Sequence, residues 1–310
     1  MFLSGGNTFA DSISRGELLK AEIKVKFWGV RGSIPIPGIK TTKYGGNTSC
    51  VEVRLPGALF IFDAGTGIKE LGNQLCAEGK KVKAHIFLSH FHWDHIQGLP
   101  FFKPAYIKGN EIIIYGMGLQ GEQLEHIISN QMESVYFPVR LQSLQAQIKF
   151  KKLWEGSYVI DGVRIDTLYT NHPGRAMGYV ITHENKKICY FTDNEIVPIP
   201  LWTDEANKYE YKQNLMEKMI QLIDGADLLI HDAQYTNQEY QNKVGWGHTS
   251  IPEALSLAVQ GRVKKFVLFH HDPESFDEHI DAHIKTCREL LDGEYDLECF
   301  AAQEGMEIYL

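Results

Sequence analysis

The sequence predicts an α/β protein assembled as a sandwich of two β-rich halves, each finished with helices. Three observations lead there. Short apolar runs, rich in Val, Ile, Phe and Tyr, recur between Gly, Pro and Asp punctuation and read as strands. Segments with helical spacing follow those runs, so strands and helices alternate in both halves. Histidines and aspartates gather where the apolar runs stop, at one end of the strands.

Taken in order, residues 1–20 read as an extension, with a short helix opening at Asp11 or Ser12. Glu22–Val30 is a first strand. Arg31–Gly46, with Gly32, Pro35, Pro37, Gly38, Gly45 and Gly46, is a long structured loop of the kind that carries function. Thr48–Arg54 and Ala58–Phe62 form a hairpin about Pro56-Gly57, and a helix runs from Ile68 to Glu78. Val82–Leu88 is a buried strand, Glu111–Tyr115 another, and Gln120–Gln131 a helix. Lys149–Tyr190 holds four or five short β-runs, among them Gly156–Ile160, Val163–Tyr169, Gly178–Thr182 and Lys187–Phe191, with Asp161-Gly162 as a tight hairpin turn. Val197-Pro198-Ile199-Pro200 breaks the chain before a helix capped by Thr203 or Asp204 and ending near Ile223. The strand Asp227–Ile230, helix Ile251–Gln260 opened by Ser250, strand Val263–Phe269, helix Phe276–Leu291 and strand Met306–Tyr309 complete the chain. The expected organisation is an extension, 1–21, and one domain, 22–310, with a helical insert near 198–224.

With 44% hydrophobic and 23% charged residues over 310 positions, the chain is long enough for a large core. A net charge of -8 argues against a general nucleic-acid binder, which would show a basic footprint. Cys50, Cys76, Cys189, Cys287 and Cys299 are scattered without a C-x-x-C pair, which reads as free thiols in a reducing compartment. No apolar run approaches the length that spans a bilayer and no signal-peptide pattern opens the chain, so the expectation is a cytoplasmic protein with no membrane partner.

The chemistry concentrates in His90-Phe91-His92-Trp93-Asp94-His95, on the loop between a strand and a helical turn. Imidazole and carboxylate together are the ligand set for zinc, iron or manganese. A two-metal site needs more ligands than one loop carries. His172, Asp193, and His270 or His271 each follow an apolar run and are the candidates. Taken singly, each is as readily a polar surface residue; at successive strand ends they converge.

These residues resemble the H-x-H-x-D-H signature and later motifs of the metallo-β-lactamase-fold hydrolases, over roughly residues 22–310. The resemblance implies a four-layer αββα sandwich with a dinuclear site, commonly zinc, at one edge of two sheets. His90, His92 and His172 would hold one metal, Asp94, His95 and His270 the other, with Asp193 bridging and Asp63 supporting a ligand from behind. His231-Asp232-Ala233-Gln234-Tyr235 and Gly247-His248-Thr249-Ser250 resemble segments of ribonuclease Z and related phosphodiesterases. In that branch an acid and a histidine, here Asp232 and His248, stand beside the metals; the alternative is that His231 and His248 are structural. The blocks Trp28–Pro35 and Tyr44–Cys50 resemble a bacterial group described as class-II-like cyclic-nucleotide phosphodiesterases or metal-dependent hydrolases.

The implied reaction is attack of metal-activated hydroxide on phosphorus, with His248, oriented by Asp232, protonating the leaving oxygen. Arg31 and Arg175 are either stabilisers of developing charge or solvated residues. Tyr136, Phe137, Trp202 and Trp246 are either stacking surfaces for a base or plain packing. The expected substrate is a small phosphodiester such as a 3′,5′-cyclic nucleotide. No basic, Gly/Pro-rich insert suggests an RNA-gripping arm, which lowers a nucleic-acid polymer without removing it. The rivals are a ribonuclease Z-like nuclease, hydrolysis of a lactone, thioester or amide, and a non-catalytic sensor. A homodimer is an open alternative to a monomer.

Overall fold

The computed structural model describes residues 22–118, 123–196, 208–293 and 295–310. The expected 1–21 extension, the Thr203 or Asp204 cap and Trp202 lie outside them. The first half contains β1 (Lys24–Gly29), β2 (Cys50–Leu55), β3 (Ala58–Phe62), α1 (Ile68–Ala77), β4 (Lys83–Phe87), α2 (Trp93–Ile96), β5 (Glu111–Met117), α3 (Leu124–Asn130) and β6 (Gln147–Leu153). The second contains β7 (Gly156–Ile160), β8 (Val163–Thr170), β9 (Ala176–His183), β10 (Lys186–Phe191), α4 (Lys208–Ile223), β11 (Leu228–Asp232), α5 (Asn237–Tyr240), α6 (Ile251–Gln260), β12 (Lys265–Phe269), α7 (Asp277–Leu291), β13 (Glu298–Ala301) and β14 (Glu307–Tyr309).

The strands form two seven-stranded sheets, ordered β14-β1-β2-β3-β4-β5-β6 and β13-β12-β11-β10-β9-β8-β7. Each sheet has an antiparallel part followed by a parallel part. β1, β2 and β3 pair antiparallel, then β3 to β6 run parallel. β7 to β10 pair antiparallel, then β10 to β13 run parallel. This is the duplicated sandwich expected from the alternation, with β14 returning to the edge of the first sheet beside β1.

The periodicities explain the layering. Strands β4, β5, β11 and β12 are buried almost throughout, because both of their faces are covered. Between the sheets lie Phe27, Phe60, Phe62 and Phe87 from the first and Tyr179, Tyr190 and Phe269 from the second. Burying a side chain of this size is worth about 1.5–3 kcal/mol each. On the outside of the first sheet, Ile68, Leu71 and Leu75 of α1 and Leu124 and Ile128 of α3 pack on Ile86, Ile112 and Ile114. On the outside of the second, Met219 and Ile223 of α4, Leu257 of α6 and Ile280 and Cys287 of α7 pack on Leu229, Phe266 and Leu268. The four layers are αββα, as expected.

The turns follow their residues. Asp161 and Gly162 both take positive φ, 48° and 79°, closing the β7–β8 hairpin. α6 opens at Ser250 with Pro252 in its first turn, although the Ser250 side chain makes no capping bond. Two sequence expectations are corrected. Cys287 and Cys299 are paired in a disulfide joining α7 to β13, so only Cys50, Cys76 and Cys189 are free. β13 itself was not anticipated: four residues, Glu-Cys-Phe-Ala, are too short a run to stand out from a turn.

Candidate metal centre

The functional side chains collect where the antiparallel part of each sheet gives way to the parallel part. Asp63 follows β3, and His90, His92, Asp94 and His95 follow β4. His172 follows β8, Asp193 follows β10, and His270 follows β12, while Asp232 ends β11. Crevices outside the carboxyl ends of parallel strands are where open α/β sheets place their ligands. Asp63, Asp193 and His270 adopt left-handed backbone, with φ of 60°, 54° and 59°. Strain of this kind costs on the order of 1–3 kcal/mol per residue and persists where the surroundings impose it.

Four overlapping trios among the described residues each have ligand atoms that lie within 4.8 Å of one another, among them His90, His92 and His172, and Asp94, His95 and His270. Asp193 stands between these two. Its Oδ1 is 3.7 Å from His90 Nε2, 3.7 Å from His172 Nε2 and 3.3 Å from His270 Nε2. Its Oδ2 is 3.3 Å from His95 Nε2. The sequence left His270 and His271 as alternatives. His270 faces the cluster, whereas His271 donates from Nε2 to the Ala302 carbonyl at 2.9 Å and packs edge-on against Tyr44.

The imidazoles are held by the nitrogen that faces away from the cluster. His95 Nδ1 lies 2.8 Å from Asp63 Oδ2, His172 Nδ1 donates to the Gly247 carbonyl at 3.0 Å, and His270 Nδ1 lies 2.9 Å from Ser49 Oγ. Such partners set the tautomer and leave Nε2 as the lone-pair donor. Asp63 is fixed in turn by the Ser89 amide and by the hydroxyls of Ser89 and Tyr190. The Nε2 atoms of His90, His95 and His270 are buried without a hydrogen-bond partner. Buried polar atoms are rarely left so. Three of them converging on one buried carboxylate are the donors a divalent cation requires, so the residues fit the group.

The electrostatics differ among the imidazoles. Burial drives the pKa of His90 well down and that of His172 down to about 4, which keeps both imidazoles neutral, the form that ligates. Burial acts the same way on His95, but Asp94, Asp193 and Asp63 outweigh it and push its pKa up. Burial would raise Asp193, yet His270, His95 and His90 hold it well below the usual carboxylate range.

Asp232 and His248 are paired, with Oδ2 3.0 Å from Nδ1. Burial lifts Asp232 to about 7 and lowers His248 to about 4. The two shifts point away from a separated ion pair. The direction consistent with burial is a pair sharing one proton between neutral partners. Asp232 Oδ2 also accepts from the Asn194 amide at 3.1 Å. His231 is structural: it is buried in β11, with Nδ1 donating to the Asp232 carbonyl and Nε2 accepting from Asn194 Nδ2. His248 also lies within ligand reach of His172 and Asp193, so it borders the metal cluster directly.

A cavity of about 420 Å³ opens onto the cluster, lined by Asp94, Asp193, His248 and His270 with Ser33, Phe91, His92 and Trp93. The sequence missed Phe91 and Trp93 as its walls, although they sit inside the ligand motif; Trp93 is 81% exposed. Tyr136, Phe137 and Trp246 do not line this cavity. Arg31 does not stabilise charge there either. It is fully buried and donates to the carbonyls of Gly45 and Ser275, pinning the loop that carries Ser33. The Ser33 amide donates to Asp94 Oδ2 at 2.8 Å, which aims that ligand. Arg175 is exposed, with its guanidinium 5.9 Å from the Tyr169 ring.

Fold and site together define a metal-dependent hydrolase of the αββα class. A family profile described as the beta-lactamase superfamily domain matches residues 59–271, more than half of the chain, and the protein belongs to that superfamily. Among curated relatives, Ribonuclease Z of Pyrococcus horikoshii is 23% identical over 306 residues, covering 87% of this chain and 93% of that one. Ribonuclease Z of Haloarcula marismortui is 25% identical, covering 92% and 96%. Among solved structures, the metallo-beta-lactamase fold protein YhfI from Bacillus subtilis superposes with a TM-score of 0.66 at 18% identity, covering 94% of this chain and all of that one (100%).

Among the described residues, no helix is long and apolar enough to cross a membrane.

Proposed function

We propose that this protein is a metal-dependent phosphodiesterase in which His248, steered by Asp232, protonates the leaving oxygen. The observation that carries this reading is the 3.0 Å His248–Asp232 pair beside the ligand cluster, with His248 lining the same cavity as Asp193 and His270. Hydrolysis of an alkyl phosphodiester expels a poor leaving group, and a positioned acid contributes about 10²–10⁴-fold.

In this reading His90, His92 and His172 would hold one ion and Asp94, His95 and His270 the other, with Asp193 available to both. Divalent ions, zinc or else manganese or iron, would supply there an activated water near neutral pH and positive charge to offset that of the phosphate. The chain's own residues do the rest. Asp63, Ser49 and the Gly247 carbonyl orient the imidazoles. The Ser33 amide aims Asp94. Phe91 and Trp93 offer apolar surface to whatever the phosphate carries.

For the substrate, the reading that leads is an RNA-processing nuclease, because the curated relatives carry the name Ribonuclease Z over most of their length. A small phosphodiester, such as a 3′,5′-cyclic nucleotide, is the second reading. It rests on the net charge of -8 and on a cavity with no lysine or arginine among its lining residues. The deciding experiment is elemental analysis of the purified protein, followed by rates on a transfer-RNA precursor, 3′,5′-cyclic AMP and bis-p-nitrophenyl phosphate. Cleavage of the precursor supports the first reading and cleavage of cyclic AMP alone the second. Full metal loading with no phosphodiester cleaved would leave a sensor or a hydrolase of another bond.

A further inference from the structure

The segment after Asp193 holds a buried acid that belongs to none of the ligand groups. Glu195 is 3% exposed, and both of its oxygens are taken. Oε1 accepts from the Tyr240 hydroxyl at 2.6 Å and from the Gly245 amide at 2.8 Å, and Oε2 accepts from the Gly247 amide at 2.9 Å. Gly245 and Gly247 both have φ of 86°, so their amides turn to one side of the loop. Amides converging in this way form an anion-binding concavity. Here the chain fills it with its own carboxylate.

The loop so held leads directly into His248, and the Gly247 carbonyl receives His172 Nδ1. The same short segment reaches the pair from its other side. The Asn194 amide donates to Asp232, and the Ile196 amide donates to Thr249 Oγ1 at 2.8 Å. Glu195 is itself anchored, its amide donating to the Asn171 carbonyl and its carbonyl accepting from Asn171 Nδ2, both at 2.8 Å.

We propose that Glu195 is a positioning residue for the acid: its carboxylate locks the Gly245–Gly247 turn and so holds His248 against Asp232 and over the cavity. This rests on the phosphodiesterase reading above. The interaction is specific for a carboxylate. In Glu195→Gln one acceptor oxygen becomes an NH₂ group, and in either orientation a glycine amide faces another donor. The turn then loses the contact that fixes it, while every metal ligand keeps its side chain.

The test compares two leaving groups on one phosphoryl group, with metal content checked in each protein. Thymidine 5′-p-nitrophenyl phosphate loses a good leaving group that needs no proton; the dinucleotide TpT loses a 3′-alkoxide that does. Because the Gly247 carbonyl also orients His172, Glu195→Gln is expected to slow both substrates somewhat, but TpT through kcat by about tenfold or more beyond the loss on the aryl substrate. A merely structural role would slow both alike, and that result, or no change in either, overturns the inference. His248→Ala separates the layers of the argument. Equal losses on both substrates in His248→Ala, or a wild type that cleaves neither, remove the acid itself and this inference with it. A selective loss in His248→Ala without one in Glu195→Gln removes only the role of Glu195. If Glu195→Gln does not fold, Tyr240→Phe, which deletes one bond to Oε1, decides: a smaller loss confined to TpT supports the inference, and an equal loss on both or none rejects it.

Discussion

Asp193 is the residue on which the centre turns. Four imidazole Nε2 atoms lie within 3.7 Å of its carboxylate. In the reading proposed above, Asp193→Ala removes the ligand shared by both groups. Metal content per chain is then expected to fall below that of the unaltered protein, with activity lost, as elemental analysis and a rate assay would show. The two neighbouring histidines give a sharper contrast. His270→Ala should lower metal content per folded chain, whereas His271→Ala should leave it unchanged at a cost in stability, because His271 bonds the Ala302 carbonyl instead. Asp232→Asn should leave metal content intact and cut turnover on alkyl phosphodiesters by about 10²-fold or more, since an amide has no proton to pass to His248 as His248 gives its own to the leaving oxygen. At this scale the candidate ligands could be picked out because each is a chemically marked residue at the end of an apolar run, and the structure brings them together. Glu195 was not. One glutamate in a loop carries no local signal, and its role arises from glycine amides about fifty positions away. Arg31 misled for the opposite reason. Arginine in a glycine-rich loop suggests phosphate, but the carbonyls that claim it come from the distant Ser275 and from Gly45.

Among the elements, the loops are shaped by what they must not touch. A Cβ on Gly247 would stand 2.2 Å from His172 Nδ1, and one on Gly32 would stand 2.7 Å from His270 Cδ2. Gly32→Ala should therefore weaken metal retention against a chelator while the strands stay intact by circular dichroism. Gly247→Ala, which adds strain at a φ of 86°, should be worse on both counts. Most strands other than β13 were legible to within a residue or two. The strand Ala58–Phe62 and the helix Ile251–Gln260 match their expected bounds, because sharp turn residues frame them. Of the expected helix over Gln120–Gln131, residues 120–122 lie outside the described residues and Leu124–Asn130 is helical, and the expected wall of aromatics at Tyr136 and Phe137 does not reach the cavity. Which loop lies over which site is a matter of tertiary placement, and periodicity carries nothing about it.

For the molecule as a whole, the sheet order was the least legible feature. β14 crosses back to β1, a pairing about 280 residues apart that no local pattern announces. Away from the metal centre, the sheets are also tied at their opposite end. His85 of β4 bonds Tyr115 Oη at 3.0 Å and Asp161 Oδ2 at 2.9 Å, joining the first sheet to the β7–β8 turn. Burial lowers the pKa of His85, with Asp161 opposing; Lys83, then His85, lower that of Asp161. A base whose pKa falls on folding binds its proton more readily when unfolded. Its contribution is intact above about pH 6.5 and lost as the pH drops below that value. The Asp161 contribution has the same sign at lower pH, below about 3.8. Stability measured by denaturant titration should thus decline from pH 7 to pH 5, and His85→Phe should flatten that slope while lowering stability at neutral pH.

The division of the ligands between the two sheets also orders events in time. His90, His92, Asp94 and His95 precede their counterparts, which follow β8, β10 and β12 of the other sheet. The β1 edge of the first sheet is covered by β14, which comes after all of these strands in the chain. A nascent chain therefore passes through a long interval in which it carries a half-set of strong ligands and an unpaired edge strand. In the reading proposed above, the full ligand set exists only once the second sheet has docked, so an ion taken by His90–His95 alone would be held incompletely until then.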